Sequence, residues 1–123
     1  MAHILIVDDQ QHVRFLVKRV LETQGHTVTE ACDDVEALQI LDRIPASAFD
    51  LILLDLLMPK LDGYEFLGRL LLRGLQPRVV IVTALWKPSP GVSDYPLSGH
   101  LTKPFTRQKL VDLVQEVLQA PAS

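Results

Sequence analysis

A chain of 123 residues, 48% hydrophobic and 22% charged, has room for one globular domain that buries about two thirds of its unfolded surface, and none for a second. Its net charge of −3 comes with Lys and Arg scattered rather than clustered, which excludes a phosphate-backbone footprint and direct nucleic-acid binding. Cys32 is the single cysteine, so an internal disulfide and a cysteine-rich structural metal site are also excluded, and the thiol reads as a core filler. No apolar stretch reaches membrane-spanning length and no basic, apolar, small-residue signal opens the chain, so the expected location is cytoplasmic, away from membranes.

Short β-branched or leucine-rich runs alternate with segments of helical period, the pattern of an α/β protein with a parallel sheet. Strands are predicted at about 3–7, 27–31, 50–54, 78–82 and 99–102. The first, third and fourth are nearly continuous apolar runs, as central strands covered on both faces should be. After the first strand, Val13, Leu16, Val17, Val20 and Leu21 recur at helical spacing, which predicts one stripe facing the sheet, with Gly25 as the stop. Asp33 with Glu36 forms a capping-box pattern before Ala37, Leu38 and Leu41, and Pro45 ends that helix. Asp62 with Glu65 repeats the pattern before Leu67, Leu70 and Leu71, with Gly74 as terminator. The segment from Trp86 to Pro96 carries prolines at 88, 90 and 96 plus Gly91 and reads as an irregular loop with at most one helical turn. Leu110, Leu113, Val114, Val117 and Leu118 make the last stripe, and residues 121–123 are a tail.

Three acids dominate the chemistry. Asp8 and Asp9 close the apolar run Ile4 to Val7, and Asp55 sits inside the run Leu51 to Met58. A carboxylate among apolar neighbours is costly unless its charge is compensated, so this placement calls for a partner. Asp8, Asp9, Asp55, Thr83 and Lys103 all fall at or just past the carboxyl end of a predicted strand, and in a doubly wound sheet those ends converge on one crevice. Three carboxylates there would raise their own pKa values without a cation, and Mg2+ suits them because it takes oxygen ligands and pairs carboxylates with phosphate oxygens. Lys103 adds a positive charge and Thr83 a hydroxyl, so the set describes a cradle for a phosphoryl group. Asp55, alone on the middle strand, is placed as the nucleophile that would become an aspartyl phosphate.

Asp8-Asp9 after strand one, the run Asp55 to Gly63 after strand three, Thr83-Ala84 after strand four and Lys103 to Phe105 after strand five together resemble the response-regulator receiver domain of two-component signalling. The resemblance covers about residues 2–119. It implies a flavodoxin-like (CheY-like) doubly wound sheet of order 2-1-3-4-5, here with an irregular or shortened fourth helix over residues 86–96. It further implies that a histidine kinase or phosphotransfer protein phosphorylates Asp55, that Thr83 and Lys103 contact the phosphoryl oxygens, and that Asp8, Asp9, Asp55 and the Leu57 carbonyl hold Mg2+. Asp8 would act mostly through water, and the Lys103-Pro104 peptide is expected to be cis.

The chain departs from that pattern at three places. His100 stands where such domains carry Tyr or Phe, and reads either as an imidazole tolerated on a half-exposed strand or as a pH-responsive switch. The proline-rich segment, with a Thr83 to Lys103 spacing a residue or two short, predicts a rebuilt or mobile signalling face and output through another surface or through homodimer contacts. Leu57 would overhang the phosphorylation site without orienting water, predicting a long-lived aspartyl phosphate, or else it packs sideways. Elsewhere His3, His12 and His26 lack ligand spacing and read as surface or strand-edge residues, Asp33, Asp34 and Asp62 as caps, and Trp86 and Tyr95 as contact residues or sheet-edge cover.

The leading reading is therefore a phosphoacceptor domain that is not an enzyme in its own right but assists its own phosphorylation and dephosphorylation, and that switches a surface for a downstream protein or output domain. A docking domain signalling without phosphate is the alternative, disfavoured because a scaffold has no use for mutually repelling carboxylates. An aspartyl-nucleophile phosphohydrolase would need an acid two positions after the nucleophile, where Leu57 stands.

Overall fold

The computed structural model describes residues 2–56, 63–74, 77–84 and 96–120. Within them β1 (His3–Val7), β2 (Thr27–Ala31), β3 (Leu51–Leu54), β4 (Val79–Thr83) and β5 (Gly99–Thr102) form one parallel sheet in the order β2-β1-β3-β4-β5. Helices α1 (Gln11–Thr23), α2 (Asp34–Arg43), α3 (Gly63–Leu72) and α4 (Arg107–Gln119) complete the described architecture, with one 3-10 turn at Ala46–Ala48. The expected topology is thus found, β3 beginning and β4 ending one residue later than the apolar pattern suggested. Leu57, Asp62, Trp86, Tyr95, the body of the 86–96 segment and the tail lie outside the described residues.

Side-chain alternation along the strands sorts the core into two layers. Leu5, Val7, Ile52, Leu54, Val79 and Ile81 pack with Ala37, Leu38 and Leu41 of α2 and Phe66, Leu67 and Leu70 of α3. On the other face Ile4, Ile6, Leu51, Leu53, Val80 and Val82 pack with Val17, Val20 and Leu21 of α1 and Leu110, Val111, Val114 and Val117 of α4. Each side chain of this size contributes about 1.5–3 kcal/mol when fully buried, so the two layers are the main source of stability.

The α1 stripe is narrower than the sequence suggests. Val17, Val20 and Leu21 are buried and Val13 packs partly against them, but Leu16 is 54% exposed. At 100° per residue it lies at the stripe's edge, and it is left, with neighbouring Phe15, in solvent. α2 begins as expected: Asp33 accepts from the Glu36 amide at 2.8 Å, and Glu36 reaches back to the Cys32 amide at 3.0 Å. It ends at Ile44, whose extended backbone is what a following proline imposes. Gly74, at φ 71°, closes α3. Two features had no sequence expectation: Thr106 caps α4 by accepting from the Lys109 amide at 3.1 Å, and Arg78 donates to the Val117 and Ala120 carbonyls at its other end.

Register positions the site. Val7 pairs with Leu54, Leu54 with Ile81, and Thr83 with Thr102, so the strands stop near one level and their next residues share one rim. The backbone continues the ladder one step further: Asp8 donates to the Ala31 carbonyl at 3.1 Å, Asp55 to Val7 at 2.9 Å and Lys103 to Thr83 at 2.7 Å.

Candidate phosphoryl and metal site

At that rim Asp8, Asp9 and Asp55 each offer a carboxylate oxygen, all within 4.8 Å of one another. Asp8 and Asp55 are buried and Asp9 is exposed, so the cluster opens to solvent on one side. Lys103, 14% exposed, reaches over the sheet from the end of β5: its Nζ is 2.7 Å from Asp8 Oδ2 and 3.1 Å from Asp55 Oδ2. Burial alone would lower the lysine pKa, but the hydrogen bond and charge of Asp8, with those of Asp55, outweigh it and hold the ammonium above its usual value. Thr83 ends β4 fully buried beside the Lys103 backbone, and the Lys103-Pro104 peptide is cis.

The backbone of Asp8 is braced from behind. Its Oδ1 accepts from the Gln10 amide at 2.8 Å, closing a local turn, and its carbonyl accepts from Arg14 Nη1 at 2.6 Å. Arg14 in turn lies 3.4 Å from Glu30 on β2. The structure therefore brings together four of the five strand-end side chains that the sequence singled out and places the fifth, Thr83, on the adjoining strand end; Leu57 lies outside the described residues. Two participants were missed. Arg14 is hidden among helix-face charges, while Gln10 had a signal: it follows the Asp pair at a helix start where Ser, Thr, Asp or Asn is preferred. Its Oε1 accepts from Lys103 Nζ at 2.9 Å.

Other titratable side chains took different places from those expected. Asp33 is a cap, but Asp34 is not: it is fully buried in the first turn of α2, and among the described residues neither carboxylate oxygen has a hydrogen-bond partner. Burial pushes its carboxyl above the usual range, an effect that the nearby amides of Asp34 and Val35 and the charge of Arg69 only partly offset. His3 begins a central strand rather than an edge, bonding Thr29 Oγ1 at 2.8 Å and packing on Phe49 at 4.5 Å. Cys32 is only half-buried, and burial, then Glu36 and Asp33, push its thiol up, away from reactivity.

Three oxygen donors from carboxylates suit a hard divalent cation, and a neighbouring ammonium suits an anion of several oxygens. The model for the response regulator receiver domain matches residues 4–115. The chain belongs to that family. Among its curated relatives, the transcriptional regulatory protein CpxR of Escherichia coli (strain K12) is 35% identical over 97% of the chain and 50% of its own length. Sporulation initiation phosphotransferase F of Bacillus subtilis is 33% identical over 94% of the chain and 92% of its own. The response regulator TrrA of Thermotoga maritima, solved in complex with Mg2+-BeF, superposes with a TM-score of 0.77 at 26% identity, covering 95% of this chain and 99% of that one. The chain spans about half the length of the first curated relatives it matches, 46% to 51%. The receiver domain is a phosphoacceptor signalling module, and its acidic cluster fits Mg2+ by donor type and spacing. Among the described residues no helix is long and apolar enough to cross a membrane.

Proposed function

We propose that Asp55 is the phosphoacceptor and that Lys103 and Thr83 bind the transferred group. One observation carries this reading: Lys103 Nζ is shared between Asp8 and Asp55, so a donor is held beside the acid that follows the carboxyl end of the middle strand. An Asp55 oxygen attacks phosphorus of a phosphohistidine on a histidine kinase or phosphotransfer protein. The new O–P bond forms as the N–P bond breaks, and the imidazole nitrogen keeps the electron pair and takes a proton. Lys103 donates to the equatorial oxygens, and the Thr83 hydroxyl follows them from the end of β4. Asp9, Asp55 and the Leu57 carbonyl, with Asp8 mostly through water, would hold Mg2+, which would supply charge neutralisation for the phosphoryl oxygens. By holding these groups ready the domain assists its own phosphorylation, and it assists hydrolysis of the product by the same contacts.

The resulting change of charge and hydrogen bonding at the rim shifts the population between two surfaces, read by a downstream protein, an output domain or a second copy of the chain. The phosphoacceptor domain runs over 1–120 with 121–123 as a tail, and it works in the cytoplasm, where kinases and their phosphodonors are found. Nothing in the comparisons favours the docking-only alternative. Intact mass after incubation with Mg2+ and acetyl phosphate tests the reading: one phosphoryl group gained by the wild type and none by Asp55→Asn is the expected result. Equal labelling of the two proteins would refute it.

A further inference from the structure

α1 starts against local preference. An N-cap residue normally offers a short side chain to an amide two or three positions on, yet Gln10 stands there with extended backbone (φ −86°, ψ 107°), makes no side-chain cap and is followed by no acid in the first turn. The side chain is used elsewhere: its Oε1 takes a hydrogen from Lys103 Nζ, 93 residues away, at 2.9 Å. A local rule broken without local compensation is characteristic of a functional site.

An ammonium has three hydrogens, and Asp8, Gln10 and Asp55 accept all three, at 2.7, 2.9 and 3.1 Å. Two of these acceptors hold the lysine by charge, and at Asp55 that hold changes during the reaction, because the acid exchanges its own negative oxygen for a charged phosphoryl group on becoming an acyl phosphate. The amide oxygen of Gln10 is neutral and keeps its acceptor strength throughout. We infer that Gln10 is a positioning residue for phosphoryl transfer: it keeps Lys103 Nζ over residue 55 while the ammonium exchanges the Asp55 oxygen for a phosphoryl oxygen, so that the hydrogen Lys103 donated to Asp55 points at the transferred group. The inference rests on the assignment of Asp55 as acceptor and adds a residue outside the acid, threonine and lysine set.

Titration with beryllofluoride in the presence of Mg2+ tests it in the wild type, Gln10→Ala and Gln10→Ser. Both variants are expected to bind roughly five- to tenfold more weakly, the size of one hydrogen bond to a charged group near solvent. Gln10→Ser, a better cap, should melt no lower than the wild type, which separates the affinity loss from damage to α1. A folding double-mutant cycle in metal-free buffer, pairing Gln10→Ala with Lys103→Ala, reads the contact without any phosphate mimic, and the two losses should be non-additive. Unchanged beryllofluoride affinity in Gln10→Ala beside a binding wild type, or an additive cycle, overturns the role of Gln10 alone. A wild type that ignores beryllofluoride overturns the Asp55 assignment and this inference with it.

Discussion

The Lys103 ammonium and the Asp8 carboxylate lie 2.7 Å apart although 95 residues separate them, and the second is almost wholly buried. A buried acid that loses its partner is left uncompensated, a cost between that of an exposed pair and a fully buried one. Lys103→Met, which keeps the apolar stem, is expected to lower stability by about 2 kcal/mol in metal-free urea denaturation. Mg2+ should then stabilise this variant more than the wild type, because the cation no longer competes with the ammonium. The pKa of Lys103 is raised on folding, so the pair contributes fully below the unfolded value near 10.5 and is lost as pH rises through the higher folded value. A variant as stable as the wild type at pH 7 and low ionic strength would contradict the pairing.

Asp34 is the opposite case, a buried acid with no hydrogen-bond partner among the described residues. Its folded pKa is raised, so folding is penalised increasingly as pH rises from the unfolded value toward the folded one, and the penalty is complete above the latter. Asp34→Ala removes the unsatisfied group and adds a good helix former, and should stabilise the domain by about 1 kcal/mol at pH 7. The gain should shrink toward pH 4. Thermal melts of the two proteins at both pH values check it; destabilisation at pH 7 would show that the carboxylate is satisfied after all.

The contrast between these two acids shows what was legible in the sequence. Asp8 and Asp55 each follow an apolar strand and Lys103 follows the edge strand β5, and parallel register brings strand ends to one rim, so the pattern alone placed the cluster. Asp34 sits one residue after a capping aspartate that is itself buried, and a one-residue step turns the side chain by about 100°, away from the amide that the cap satisfies and into the core. Leu16 went wrong for the same reason in the other direction. The partners of Gln10 and Arg14, the Lys103 ammonium and the Asp8 carbonyl, are fixed by tertiary geometry rather than by spacing, so the poor cap at Gln10 flagged an anomaly without naming its partner and Arg14 carried no signal at all.

His26 makes the opposite end of the sheet sensitive to acid. Its Nδ1 accepts from the Ala2 amide at 3.2 Å, and burial, with the positive charge of the amino terminus, holds its pKa below the usual value despite the attraction of Asp50. Protonation destroys the acceptor, so the folded state binds the proton less readily than the unfolded one. Stability from this contact is present above about pH 6.5 and falls as pH drops from there through the folded value. The melting temperature of the wild type should therefore fall more steeply between pH 7 and pH 5 than that of His26→Asn. Parallel curves would remove the histidine from the account.

Asp9 tests the metal assignment with least interference from folding. It is the exposed member of the acid cluster, so removing its charge unpairs nothing buried and relieves repulsion on Asp8 and Asp55. Asp9→Asn should leave stability in metal-free buffer unchanged or slightly raised. Mg2+ binding, in contrast, loses one of its anionic donors, and a site that keeps several waters depends heavily on each carboxylate it has. Calorimetric titration with Mg2+ should show affinity reduced by at least about tenfold, the size expected for losing one charged donor. Equal affinity in the two proteins would place the cation elsewhere than among the three aspartates.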